Sequence, residues 1–86
     1  MQANLKDQIA LVTGAANGIG KAIADRFAAN GAIVFYTDVH LAAAEEAASK
    51  SGGHALALDV TRPDQINAAM RTVIERCERL DIVVNN

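Results

Sequence analysis

The chain has 86 residues and a formal net charge of −2, with 51% hydrophobic and 21% charged residues. A chain this short makes one small domain that buries only about 60–65% of its unfolded surface, and the balance is that of a globular protein rather than a disordered one. With no basic cluster there is no electrostatic footprint for nucleic acid or an anionic membrane surface, and no apolar run approaches the roughly 20 residues of a bilayer span.

Along the chain, two periodicities alternate. "QIALVT", Gln8 to Thr13, is a short aliphatic run ended by glycine, which predicts a strand buried on both faces of a parallel sheet. From Gly18, Ile19, Ala22, Ile23 and Phe27 fall at helical spacing, and Asn30-Gly31 supplies residues that tolerate a left-handed turn after the helix. "AIVFYTD", Ala32 to Asp38, reads as a second strand, and the Ala- and Glu-rich stretch from Leu41 to Lys50 as a second helix closed by Ser51-Gly52-Gly53. "HALALDV", His54 to Val60, has weak β propensity but stands where a third strand falls. Thr61 with Asp64 has the form of a capping box, and Pro63 sits in a first turn where no backbone donor is lost. A helix from Pro63 to Arg79 follows, with Ile66, Ala69, Met70, Val73, Ile74 and Cys77 as its buried stripe. "LDIVVNN" is a fourth buried strand. The β-α-β-α-β-α-β order has no internal repeat or linker, and each crossover demands a parallel strand pair.

Within this pattern "TGAANGIG", Thr13 to Gly20, joins the first strand to the first helix. Such a loop brings unpaired backbone N–H groups and the positive end of the helix dipole to one spot, where phosphate binds. Glycine is needed because a side chain would hold a pyrophosphate away from the backbone, or clash with the turn and with the helix packing on the sheet. Thr-Gly-x-x-x-Gly-x-Gly arises by chance on the order of once per thousand chains this long, so a bland turn is the weaker explanation.

Thr-Gly-x-x-x-Gly-x-Gly resembles the cofactor loop of the short-chain dehydrogenase/reductase family, and Asp59-Val60 and Asn85-Asn86 match two further signatures of that family in the same order. The resemblance covers the whole chain. It implies an α/β fold, a three-layer doubly wound (Rossmann) parallel sheet with strand order 3-2-1-4, binding NAD or NADP for hydride transfer between alcohols and carbonyls. By likeness, Gly14, Gly18 and Gly20 shape the loop, Asn17 and Ile19 line the cofactor, Asp59 holds the adenine amino group with Val60 beside the ring, and Asn86 lies near the ribose.

Asp38 discriminates between the two cofactors. It ends the second strand 18 residues after Gly20, close to the roughly 20-residue spacing at which an acidic side chain accepts from the adenine ribose hydroxyls. A 2′-phosphate there meets like charge, and Thr37, Val39 and Asn17 offer no cation to offset it. NAD is therefore expected over NADP. The competing role for Asp38 is capping of the following helix, and the two are compatible. Asp59 also suits an ordinary strand-end turn, and Asn85 and Asn86 suit polar residues leaving a strand.

The remaining candidates carry less. Cys77 is one cysteine on an apolar stripe, unable to pair internally, and reads as a small buried hydrophobe. His40 and His54 have no carboxylate or second histidine at ligand spacing, so no metal is expected. Lys21, Arg26, Lys50, Arg71, Arg76 and Arg79 read as solvated helix faces. Reduction of a carbonyl needs a proton donor, which the family supplies from Ser with Tyr-x-x-x-Lys. The one tyrosine, Tyr36, is followed four residues later by His40 and lies inside a strand, so no catalytic residue is assigned.

Residues 1–86 are thus expected to be the N-terminal dinucleotide-binding part of one Rossmann domain, truncated before its catalytic segment. The open edge at Asp81–Val84 then calls for self-association or cover by a C-terminal part. A stand-alone nucleotide-binding or regulatory module without catalysis is the alternative. The start of the chain lacks a charged stretch followed by an apolar run, which predicts a cytoplasmic protein without a signal peptide.

Overall fold

The computed structural model describes residues 5–86. Strands and helices alternate as β1 (Ile9–Val12), α1 (Gly18–Ala29), β2 (Ile33–Asp38), α2 (Leu41–Ser51), β3 (His54–Ala57), α3 (Pro63–Cys77) and β4 (Ile82–Val84). The strands form one parallel sheet in the order β3-β2-β1-β4, the expected doubly wound arrangement. β1 is flanked on both sides, Val12 pairing with Tyr36 of β2 and with Val84 of β4. All four of its residues are buried, as the unbroken aliphatic run predicts.

Strand alternation divides the core between the two faces of the sheet. Ala10, Val12, Val34 and Tyr36 meet Ala24 of α1 and Ala47 and Ala48 of α2, where small helical side chains permit close approach. Ile9, Leu11 and Phe35 meet Leu58 and the Ala69 and Val73 side chains of α3. α1 and α2 therefore cover one face and α3 the other, as right-handed crossovers require. Full burial of Phe35, Val34 or Val73 stabilises the domain by about 1.5–3 kcal/mol each. β3 overcomes its weak propensity by the same alternation: Ala55 packs towards one cluster and Leu56 towards the other, while Phe35 through Asp38 pair with His54 through Ala57.

Several boundaries differ from expectation. β3 ends at Ala57 rather than Val60, because the Asp59 N–H turns to the Gln65 side chain, 2.9 Å away. Thr61 is not a helix cap. Arg62 occupies that position without a side-chain bond to the helix, and the Thr61 hydroxyl donates backwards to Asp59. α3 ends at Cys77 rather than Arg79, since Glu78 adopts a left-handed φ of 67° and donates its N–H to the Ile74 carbonyl at 2.7 Å. Ile74, placed on the buried stripe by periodicity, is 48% exposed, because α3 touches the sheet through Ala69 and Val73 and Ile74 lies to one side of that line. Cys77 is half-buried and packs against the α3-side core. α2 runs one residue past Lys50, and the left-handed residue after α1 is Gly31 alone.

β4 stands at the end of the sheet, paired with β1 on one side. Asp81 fastens its start: the Ile9 N–H donates to Oδ2 at 2.8 Å, and Arg79 pairs with the same carboxylate at 2.9 Å.

Candidate functional site

The carboxyl ends of β1, β2 and β4 and the start of α1 meet at one end of the sheet. Thr13 joins β1 to β4 there. Its N–H donates to the Val84 carbonyl at 3.0 Å, and its hydroxyl oxygen accepts the Asn86 N–H at 2.9 Å. Asn86 is thereby held over the glycine loop, with a consequence for two of the three glycines. A Cβ on Gly14 would stand 3.0 Å from Asn86 Nδ2, and one on Gly20 would overlap the Gly14 carbonyl oxygen and approach Asn86 Nδ2 to 2.7 Å. At Gly20 the Gly14 backbone and Asn86 fill the space a side chain would need, whereas Gly14 has a left-handed φ of 61° that disfavours any side chain, with Asn86 crowding the position further.

Gly18 differs. It opens α1 with a left-handed φ of 61°, and nothing lies within 4 Å of where its Cβ would be. The first N–H groups of a helix lack partners within the helix, and the N-cap residue Asn17 makes no side-chain bond to them. The exposed backbone at the positive end of α1 therefore faces open space at Gly18, which suits an approaching anion.

Further along the loop, the Ala15 N–H donates to the Thr37 carbonyl at 2.9 Å and the Ala16 N–H to Asp38 Oδ2 at 3.3 Å, tying the loop to β2. The other Asp38 oxygen accepts the His40 N–H at 3.1 Å, at the entry to α2. Asp38 thus supports the start of the helix and borders the loop at the same time. It forms no ion pair among the described residues.

Four of the residues singled out from sequence, Gly14, Asp38, Val60 and Asn86, line one open cleft of about 240 Å³, together with Val39 and Leu58. Asn17 and Gly18 are exposed and Gly20 is buried beneath them. These three stand outside the cleft lining, and so do Ile19 and Asp59. Ile19 is 74% exposed and borders a groove along α1 with Ala22, Ile23, Arg26 and Phe27. Asp59 lies between the lining residues Leu58 and Val60, its carboxyl held below the usual carboxylate range by the Thr61 hydroxyl and then by the Thr61 N–H. Sequence reasoning missed Leu58, Val39 and the tying role of Thr13. Thr13 was visible as the first letter of the loop motif, whereas the other two carry no signal beyond being apolar.

Tyr36 is fully buried, its phenol pushed up to about 12 by burial and then by the bond to Asp25. It donates to Asp25 Oδ1 at 2.7 Å and shares a 2.6 Å bond with Ser51, while Lys21 pairs with the same Asp25. Tyr36 therefore cross-links α1, β2 and α2 and is not a proton donor for chemistry at the cleft. Among the described residues no group of His, Cys, Asp and Glu could hold a metal ion, and no described helix is long and apolar enough to cross a membrane.

Comparison with known proteins yields a match to the family model for short chain dehydrogenases over residues 8–86. An uncharacterized oxidoreductase of Mycobacterium bovis is 44% identical over 100% of this chain and 36% of its own length. A galactitol 2-dehydrogenase of Agrobacterium fabrum is 44% identical over 95% of this chain and 33% of its own. In the crystal structure of a hydroxysteroid dehydrogenase from Escherichia coli, 36% of that chain superposes on 96% of this one with a TM-score of 0.93 and 33% identity. The chain spans about a third of the length of the curated relatives it matches.

Proposed function

The chain belongs to the short-chain dehydrogenase family, and from that premise we propose that it forms the NAD(H)-binding part of an oxidoreductase acting on an alcohol or carbonyl. The observation that carries this is the convergence of Gly14, Asp38, Val60 and Asn86 on one cleft beside the α1 N-terminus, where Gly18 leaves the backbone uncovered. The fit is to a diphosphate: N–H donors at the positive end of a helix, with room above them, favour an anion. A nicotinamide dinucleotide, when bound, supplies the hydride exchanged with the substrate carbon.

The chain's own residues bind and orient. The N–H groups from Gly18 onward hold the diphosphate. Asp38, already aligned by two backbone donors, accepts from the adenosine ribose hydroxyls. Val60 and Leu58 give the base an apolar wall, and Asp59 accepts from its amino group. Asn86, by filling the space above Gly14 and Gly20, fixes the loop's shape. A second negative group on the ribose would meet the Asp38 carboxylate, and such like-charge contact costs several kcal/mol, so NADH binding is expected to exceed NADPH binding at least tenfold.

Proton donation and substrate contacts belong in this proposal to other parts of the whole protein, which in the relatives is about three times as long as this chain. The edge of β4 suits cover by such a part or by a second copy, and a cytoplasmic location suits a lone thiol. Dissociation constants for NADH and NADPH, measured on the intact protein, test the proposal: tighter NADPH binding overturns the cofactor assignment, and saturable binding of neither overturns the function.

A further inference from the structure

The face of the sheet that carries α1 and α2 is covered through small side chains. The buried residues of α1 are Gly20 and Ala24, and those of α2 are Ala44, Ala47 and Ala48. Such surfaces approach closely but interdigitate little, so packing alone leaves a weak hold on the roll and direction of a helix. Tyr36 of β2 adds a directional contact. Its hydroxyl donates to Asp25 Oδ1 of α1 at 2.7 Å and shares a 2.6 Å bond with Ser51 of α2. Lys21 donates to the other Asp25 oxygen at 2.7 Å, and that bond, followed by the one from Tyr36, favours the ionised, accepting form of Asp25. The ring is confined as well: a Cβ on Gly53 would come within 2.8 Å of Tyr36 Cε1, so Gly53 leaves the room that the ring fills.

We propose that Tyr36 is a positioning residue for dinucleotide binding: by holding Asp25 it sets the direction of α1 against β2, and with it the gap between the Gly18 backbone and the Asp38 carboxylate that one ligand must span. The inference rests on the dinucleotide-binding role of the cleft. Both anchor points belong to the elements that Tyr36 joins. Asp38 ends β2 two residues after Tyr36, on the same face of the strand, and Gly18 opens α1 seven residues before Asp25, about 10 Å away along the helix. The Ala15 and Ala16 N–H groups tie the entry of α1 to β2. A tie at the entry alone is a pivot, and the bond to Asp25 supplies the second point that fixes a direction. A ligand touching two elements gains from both only while their spacing is right. A protein that holds that spacing about a tenth of the time binds a spanning ligand about ten times more weakly, yet binds a fragment touching one element as well as before. In sequence Tyr36 attracts notice only as a proton donor in the wrong place, and its bond across to Asp25 assigns it this other task.

The test titrates the intact protein with NADH, which spans the gap, and with adenosine and inorganic pyrophosphate, which each reach one side of it. Tyr36→Phe should weaken NADH binding about tenfold while changing that of the two fragments by less than about twofold. Asp25→Asn, which keeps an acceptor for the phenol, should bind NADH nearly as the unmodified protein does. Asp25→Leu should repeat the tenfold loss and takes the place of Tyr36→Phe should the phenylalanine protein fold poorly, with pyrophosphate registering any gain from the freed Lys21. Ala47→Gly destabilises the same face without touching the tie, and should leave NADH binding unchanged. If the variants that break the tie keep their NADH affinity, or weaken all three ligands alike, or if Ala47→Gly weakens NADH as much as they do, Tyr36 merely holds the fold and the inference is overturned. Absence of saturable NADH binding to the unmodified protein defeats instead the function proposed above.

Discussion

Replacing Gly18 with alanine separates binding from folding in this loop. No atom lies within 4 Å of the added methyl group, so the folded state meets no clash. The cost is conformational: about 1–2 kcal/mol for an L-residue at a φ of 61°, less about 0.4–1 kcal/mol because alanine lowers the entropy of the unfolded chain. A net loss of about 1 kcal/mol lowers the melting temperature of a domain this size by about 4–8 °C. The methyl group, however, stands in the space through which a diphosphate reaches the helix N–H groups. Losing charge-assisted bonds worth about 1.5–3 kcal/mol weakens NADH binding by about 10- to 100-fold. Gly20→Ala is the contrast, because its methyl group would meet the Gly14 carbonyl and would stand 2.7 Å from Asn86 Nδ2. Overpacking of this kind costs about 1–3 kcal/mol or more, a large share of the stability of so small a domain. Fluorescence titration with NADH and urea unfolding on the same preparations read both quantities. An alanine at Gly18 that binds NADH normally, or that unfolds as readily as one at Gly20, refutes the reasoning.

Asp38→Asn should reduce the preference for NADH over NADPH by about tenfold, since it removes the like charge while keeping an acceptor for one backbone donor; an unchanged ratio of dissociation constants would contradict the selecting role of Asp38. Glu78→Gly should stabilise the domain by about 0.5–1 kcal/mol, because Glu78 holds a left-handed φ of 67° at the end of α3, and a urea midpoint that stays put or falls would count against it. Asp81 is held below its ordinary value of 3.8, first by the Ile9 N–H and then by Arg79. Its contribution is therefore complete above that value and is lost as pH falls through the depressed folded value. Denaturation midpoints measured from neutral pH downwards should decline in that acid range, and less steeply for Asp81→Asn; parallel curves would remove Asp81 from the account.

Much of the fold was legible because each crossover leaves few choices. A glycine-ended aliphatic run, a helix and another β-branched run specify a parallel pair, and the third helix must then pass to the opposite face. Local chemistry was less legible where a side chain had two partners to choose from. Thr61 has the spacing of a capping box, yet its hydroxyl bonds Asp59, and nothing in the sequence ranks the two. Glu78 is a good helix former in the position that ends α3, and Ile74 fits the apolar period but lies off the narrow contact line of Ala69 and Val73. In the loop itself, glycine spacing pointed to phosphate. The distinct reasons for Gly14 and Gly20 are a left-handed φ at the first and the Gly14 carbonyl against the second, with Asn86 crowding both. The cleft gathers Gly14, Asp38, Val60 and Asn86, whereas Ile19 and Asp59 reach it only if a ligand extends past its lining residues.

The central claim is that exposed amides at the start of α1 hold the diphosphate of a nicotinamide dinucleotide. NMR titration of the isotope-labelled protein with NADH tests it most directly. The account predicts saturable shifts of the Gly18, Ile19 and Gly20 amide signals, accompanied by those of Asp38 and Asn86. Shifts confined to the outer groove of α1 around Ile23 and Phe27, or none at saturating NADH, would contradict it.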